Sequence, residues 1–331
     1  MKHPYQYEKL KNFNRKYLLY NKHNNFLFCF VQKIGCTFWK RIFLSLENVD
    51  ISNITDLSVV HKLYLPDLHR FSDKDVTAIS NSAFSVLFVR DPYSRLFSGY
   101  IDKFFYPNSN FWLTHGTRII REYRRNPSNK SLECGHDVTF SEFIEYVVNS
   151  YSGKYNLLDD HFSPVYQHCR PCEIHYKIIG KMEMFEHDAF YVFNEIRTLN
   201  SKHFIAKRNI TEQLIQTIED IRNFRNIDKT CLSDTDMYQR ILKSFYYRGL
   251  LDYSLESQRN VTKIIKSLTV LNAEKYSKLL SNNFKKDDVR KHLVEHYRSL
   301  EKGLLDRVKE FLKPDCQLFG YDDSPNDIFD S

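Results

Sequence analysis

Six consecutive apolar residues, Phe26-Leu27-Phe28-Cys29-Phe30-Val31, constrain this chain more than any other feature. A run of that length without alternation is the pattern of a strand buried on both faces, as in a parallel sheet covered by helices. Residues 32–36 interrupt the run, and Thr37 followed by Phe38, Trp39, Ile42, Phe43 and Leu46 predicts a helix with Thr37 as its N-cap. The same order returns at Phe84-Ser85-Val86-Leu87-Phe88-Val89, which stops at Arg90-Asp91-Pro92. Asp91 suits an N-cap and Pro92 a first helical position, and Tyr93, Leu96, Phe97, Tyr100, Ile101 and Phe104 keep helical spacing. Two strand-loop-helix units joined by a helical crossover predict an α/β domain whose ligands sit at the carboxyl ends of its strands.

Residues 1–25 are polar and aromatic without a clear period, so residues 1–24 read as a surface segment or the end of a stalk. Residues 25–322 then read as one domain with a helical insert around 200–300, and residues 323–331 as a tail. Thr139-Phe140-Ser141-Glu142 is a capping-box pattern, and Phe140, Phe143, Ile144, Val147 and Val148 supply the buried face of its helix. A short strand is expected over 175–179, closed by Gly180. From about 211 to 312 the chain reads as mostly helical, stopped by Lys313-Pro314.

A formal net charge of +7 suits anionic partners, but Lys and Arg are scattered among Asp and Glu. No basic tract with interleaved aromatics tracks a nucleic-acid strand, so no nucleic-acid partner is expected. Seven cysteines are too few and too dispersed for a disulfide scaffold, and their odd number leaves at least one unpaired within the chain. Cys169 and Cys172 lack a second pair at zinc-site spacing, which favours a disulfide or plain burial over a metal. Sequons begin at Asn53, Asn129, Asn209 and Asn260 and fit the secretory pathway. The apolar run at 26–31 is far short of the ~20 residues of a membrane span, so the chain as written shows neither anchor nor signal.

Two segments carry the chemistry. In Gln32-Lys33-Ile34-Gly35-Cys36-Thr37-Phe38-Trp39-Lys40, a loop meets a helix start, whose N–H groups and dipole favour phosphate or sulfate. Lys33 adds a charge, and Gly35 allows close backbone approach. Lys33 precedes Gly35, unlike the Lys of a Walker loop, so nucleotide triphosphate hydrolysis fits poorly. In Arg90-Asp91-Pro92-Tyr93-Ser94-Arg95-Leu96-Phe97-Ser98-Gly99-Tyr100, Arg90 can grip a phosphate in two hydrogen bonds at a strand's end. Ser94, Ser98 and Asp102 line one polar stripe of the following helix.

These two segments resemble the 5′-phosphosulfate loop and the 3′-phosphate motif of the Golgi carbohydrate sulfotransferases, the chondroitin, dermatan and N-acetylgalactosamine 4-O-sulfotransferase group. Asp160-His161-Phe162-Ser163-Pro164, Cys169-Arg170-Pro171-Cys172-Glu173-Ile174-His175-Tyr176 and Ile179-Gly180-Lys181-Met182-Glu183 resemble the same group, as does Cys316-Gln317-Leu318-Phe319-Gly320-Tyr321. Gln32 stands where many members carry Pro, and Phe38 where many carry a small polar residue. The resemblance implies a P-loop-like parallel sheet flanked by helices, the PAPS-dependent sulfotransferase fold, with a long helical C-terminal part.

It also implies transfer of a sulfuryl group from 3′-phosphoadenosine 5′-phosphosulfate (PAPS) to a hydroxyl of a glycosaminoglycan or glycoprotein glycan. The 5′-phosphosulfate would be held by Lys33, Ile34, Gly35, Cys36, Thr37, Phe38 and Trp39, and the 3′-phosphate by Arg90 and Ser98. Lys33 would neutralise charge on the bridging oxygen, and His161, beside Asp159 and Asp160, is the candidate general base, with His115 and His175 as rivals. No metal is required. An anionic glycan acceptor and a Golgi membrane location facing the lumen are implied too, although the family's anchor has no counterpart here. Two alternatives stay open: a catalytically inactive sulfotransferase-like protein that binds nucleotide or glycan, and a kinase using the same loop logic.

Overall fold

The computed structural model of the chain describes residues 15–49, 60, 63–152, 158–196, 230–249 and 286–330. Its four-stranded sheet has the order β1 (Leu18–Asn21), β2 (Phe26–Cys29), β3 (Phe84–Val89) and β4 (Ile178–Lys181). The three strands β2, β3 and β4 pair in parallel, as expected of apolar runs flanked by helices. β2 is buried at all four positions and β3 at five of six.

Several boundaries differ from the sequence reading. Residues 18–21, read as part of a surface or stalk segment, form β1, an edge strand antiparallel to β2. Leu18 and Leu19 are buried there, and Tyr17 just before them edges onto the His168 ring at 4.4 Å. The last strand lies at 178–181 rather than 175–179, and Gly180 sits inside it opposite Phe88. The Phe88 ring crosses that position so closely that a Cβ would fall 2.7 Å from two ring carbons, which only glycine tolerates. The helix Lys302–Phe319 runs through Pro314 instead of ending before it. Burial of Cys316 and Phe319, and two hydrogen bonds from the Val165 and Tyr166 N–H groups to the Asp315 carboxylate at 2.7 and 2.9 Å, offset the lost backbone bond.

The chain divides into two compact units. The first draws on residues 1–92, 159–208 and 314–321 and holds the sheet. Its core stacks Phe28 on Trp39 at 4.6 Å, with Phe88, Phe185 and Phe193 around them. A disulfide joins Cys29, the last residue of β2, to Cys169. Of the Cys169/Cys172 pair only Cys169 is bridged, while Cys172 is an exposed thiol.

The second unit draws on residues 93–158, 209–313 and 322–331. Its helix Phe140–Ser152 opens with the expected capping box: Thr139 N–H donates to Glu142 at 2.9 Å, and Glu142 N–H donates to the Thr139 hydroxyl at 3.2 Å. Arg124 donates to Glu142 and to Asp137, and Cys134 is bridged to Cys231. The segment read as a tail carries the helix Asn326–Phe329, with Ile328 buried and Asp327 paired to Arg290 at 2.6 Å. Most of the helical insert lies outside the described residues, as do the sequons at Asn53, Asn209 and Asn260. Asn129 begins the helix Asn129–Cys134 and is exposed.

Candidate functional site

Parallel pairing of β2 with β3 sends the segments that follow both strands out of the same sheet edge. After β2 the backbone turns left-handed at Lys33, φ 67°, and again at Gly35, φ 68°. Left-handed residues alternating with an ordinary one turn neighbouring N–H groups toward one side, the backbone form of an anion cradle. The helix Cys36–Leu46 starts directly after it, so the N-cap is Gly35 and not the expected Thr37. Gly35 has no side chain to cap with, and an α-helix leaves its first N–H groups without an acceptor of its own. A Cβ at Gly35 would meet only ordinary contacts near 3.7 Å, so the positive φ, not crowding, is what calls for glycine.

The helix turns its residues to different uses. Cys36, Thr37 and Phe38 are half-buried at its start. Trp39 departs from the expected nucleotide contact: its indole is fully buried against Phe28, and its backbone N–H already donates to the Gly35 carbonyl at 3.1 Å. Ile34 is likewise a core residue, leaving only its backbone to a ligand. Phe38 packs edge-on to Phe185 at 5.1 Å, which explains an aromatic residue where a small polar one was the family expectation. Lys40 lies one turn along, its ammonium 4.8 Å from the Phe30 ring centre. Burial lowers its pKa, and the nearby Cys36 thiol opposes that shift.

At the end of β3, Arg90 is half-buried, and its guanidinium donates to the Lys33 carbonyl at 3.4 Å. The two expected phosphate segments, 57 positions apart, therefore meet in one place. Burial lowers the Arg90 pKa from its ordinary value, while Asp91, Glu183 and Tyr321 pull it back up. It stays charged at any working pH. Glu183 accepts from the Asp91 N–H and from the Tyr321 hydroxyl, each at 2.9 Å. Lys181 sits over the Tyr321 ring at 4.3 Å and donates to the Gly320 carbonyl at 3.2 Å. Glu183, Tyr321, Lys181 and Lys40 are not among the site residues that the resemblance implies, although all four lie within the segments that carry it, and that membership is the signal the sequence offers for them.

Ser98 is half-buried on the helix Pro92–Tyr100, and Asp102 pairs with Lys103 at 3.1 Å and Arg248 at 3.6 Å. His161 lies in a turn where Asp159 holds it twice: the carboxylate accepts from its N–H at 2.9 Å and contacts Nδ1 at 2.6 Å. That contact fixes the ring and leaves Nε2 as the basic nitrogen. Asp160 pairs with Lys16 instead. Of the rivals, His115 stacks on Phe111 and contacts the Thr114 hydroxyl at 2.9 Å, and His175 is exposed. Of the three candidates, His161 is the one whose ring is seen held by a carboxylate.

The second unit contains a cavity of about 410 Å³ whose lining includes His136, Asp137, Arg240 and Lys243. Arg240 is held there by the His136 carbonyl and lies over the Phe105 and Trp112 rings. Among the described residues no group of three or more His, Cys, Asp or Glu side chains could hold a metal ion.

Comparison with known proteins identifies the family. The pattern of the Sulfotransferase family matches residues 16–255. Carbohydrate sulfotransferase 11 of Rattus norvegicus is 34% identical over 182 residues, 54% of this chain and 52% of the relative. Carbohydrate sulfotransferase 9 of Homo sapiens is 34% identical over 233 residues, 69% and 49% of the two chains. Carbohydrate sulfotransferase 14 of Homo sapiens is 32% identical over 193 residues, 58% and 50%. The chain spans about half the length of the curated relatives it matches. No solved structure matches.

Proposed function

The chain belongs to the sulfotransferase family, and from that membership we propose that it transfers a sulfuryl group from PAPS to a sugar hydroxyl of a glycosaminoglycan or glycoprotein glycan. One observation carries the reading: Arg90 at the end of β3 reaches the carbonyl of Lys33 in the left-handed loop after β2. Two cationic anion-binding elements side by side suit a ligand with phosphate at both ends.

PAPS, when bound, supplies the sulfuryl group and a phosphate leaving group. The cradle of Lys33, Gly35, Cys36 and Thr37 holds its 5′ end, where Lys33 opposes the negative charge that grows on the departing oxygen. Arg90 holds the 3′-phosphate, a role that the motif resemblance extends to Ser98. His161, its ring held by Asp159, takes the proton of the acceptor hydroxyl at Nε2. Relatives named carbohydrate sulfotransferases support a glycan as acceptor.

We propose action in the Golgi lumen. The disulfides Cys29–Cys169 and Cys134–Cys231 support it, since such bridges persist in oxidising compartments. Among the described residues no helix is long and apolar enough to cross a membrane.

The test is label transfer from radiolabelled PAPS to desulfated chondroitin, dermatan, heparan and N-acetylgalactosamine-terminated acceptors. Wild type should label one class, and Lys33→Ala should lose about 2.7–4 kcal/mol of barrier lowering, roughly 100- to 1,000-fold in kcat, with unchanged circular dichroism. A folded Lys33→Ala protein of full activity would overturn the role of Lys33. Binding of PAPS without transfer to any acceptor would favour a non-catalytic binding protein.

A further inference from the structure

Arg90 presents five N–H donors, and among the described residues the hydrogen bond its guanidinium makes is the long one to the Lys33 carbonyl. A carboxylate stands close by, because Glu183 is among the groups whose charge acts on Arg90. Left to itself, a carboxylate beside a guanidinium takes the bidentate geometry that a phosphate would use. Glu183 does not. One of its oxygens is occupied by the Asp91 N–H and the other by the Tyr321 hydroxyl, both at 2.9 Å.

Tyr321 is held for that task. Its N–H donates to the Cys316 carbonyl at 2.9 Å, and Lys181 covers its ring while anchoring Gly320, whose φ is 66°. Burial and the neighbouring Glu183 raise the Tyr321 pKa well above its ordinary value, so the hydroxyl keeps its proton and remains a donor.

The geometry points to Tyr321 as a positioning residue for the nucleotide site: its hydroxyl holds Glu183 away from Arg90, keeping the guanidinium donors for the 3′-phosphate. Glu183 still lends its charge to the half-buried guanidinium. The inference rests on the reading of Arg90 as the 3′-phosphate clamp and identifies what keeps that clamp open.

The experiment is calorimetric binding of 3′-phosphoadenosine 5′-phosphate and of adenosine 5′-monophosphate, which lacks the 3′-phosphate, to the full chain. Wild type should prefer the bisphosphate by about 10- to 100-fold, the range of a charged hydrogen-bonded contact. Tyr321→Phe keeps the ring but frees one Glu183 oxygen to compete for Arg90, and should cut that preference about tenfold, near the low end of the same range because Glu183 is exposed. Glu183→Gln added to Tyr321→Phe replaces the competing carboxylate by a neutral amide and should restore the preference. In turnover, Tyr321→Phe should raise KM for PAPS and leave kcat at saturation unchanged.

The outcomes separate. A wild type that binds both nucleotides equally overturns the reading of Arg90, and this inference with it. A selective wild type whose preference survives Tyr321→Phe overturns the inference alone. So does a Tyr321→Phe protein that loses both nucleotides equally and is not rescued by Glu183→Gln, because that is the behaviour of a purely structural residue.

Discussion

Replacing Gly180 by Ala tests how tightly β4 is fitted against β3. The added Cβ would lie 2.7 Å from Cε1 and Cζ of Phe88, whereas ordinary contact is 3.4–4 Å, so the ring must retreat by at least about 0.7 Å. It has little room. Phe88 is 1% exposed, and its ring centre lies 5.0 Å from that of Trp39 and 5.4 Å from that of Phe185. Overpacking of this kind costs about 1–3 kcal/mol, which lowers Tm by roughly 2–4 °C per kcal/mol in a unit of this size. Urea unfolding followed by circular dichroism reads the loss directly. Phe88→Leu removes the clashing ring edge, so the double variant should be more stable than the sum of the two single losses by about 1 kcal/mol or more. Strict additivity, or a Gly180→Ala protein with the wild-type midpoint, would refute the fit of glycine beneath that ring.

Two further predictions concern titrating groups. If His161 is the general base, His161→Ala should lose the limb of the pH–rate profile in which rate rises with pH, whereas Asp159→Asn should shift that limb to lower pH by removing the carboxylate that stabilises the charged imidazole. For Asp137 and Glu142, burial is the largest single influence and would raise both pKa values, but hydrogen bonds from Arg124, joined by Ser131 at Asp137 and Thr139 at Glu142, together with the Arg124 charge, hold both below the ordinary range. Their contribution to stability is therefore complete above the unfolded carboxylate range near pH 4 and is lost as pH falls through the depressed folded values. Arg124→Met should cost between the ~1 kcal/mol of an exposed ion pair and the ~3–5 kcal/mol of a broken buried one at pH 7, and much less at pH 2; an equal cost at both would show that packing, not charge, is what Arg124 supplies.

Elements whose burial is two-sided could be read from the sequence. Phe26 to Cys29 and Phe84 to Val89 needed no partner to be recognised, because short, almost wholly apolar runs without polar alternation are the pattern of strands buried on both faces. Asp91-Pro92 and Thr139-Phe140-Ser141-Glu142 are local devices, and both begin helices where their chemistry puts them. β1 escaped because Leu18-Leu19-Tyr20-Asn21 is a four-residue edge strand amid polar and aromatic neighbours; only pairing with β2 makes it a strand. The Gly35 cap escaped for a different reason. A cap made by a backbone at positive φ leaves no capping side chain to find, so Thr37, the nearest good capping residue, drew the assignment.

The site divides along the same line. Lys33 and Arg90 each follow a buried strand by a few residues, and parallel register, Cys29 opposite Leu87, is sufficient to bring their segments to one edge. Had the two strands paired antiparallel, the loop after one would have met the start of the other, and Lys33 could not have reached Arg90. The topology legible from the strand-loop-helix order was thus enough to bring the two segments together, the Arg90 guanidinium against the Lys33 carbonyl. Glu183 and Tyr321 follow no such rule, since 138 positions separate them and neither has a local pattern that names its partner. Their meeting depends on β4 closing the sheet beside β3 and on the helix Lys302–Phe319 persisting past Pro314, so that the turn at Gly320 delivers Tyr321 to the carboxylate. The cations that would bind the nucleotide are consequences of sheet topology, whereas the group that keeps one of them available is a consequence of tertiary packing.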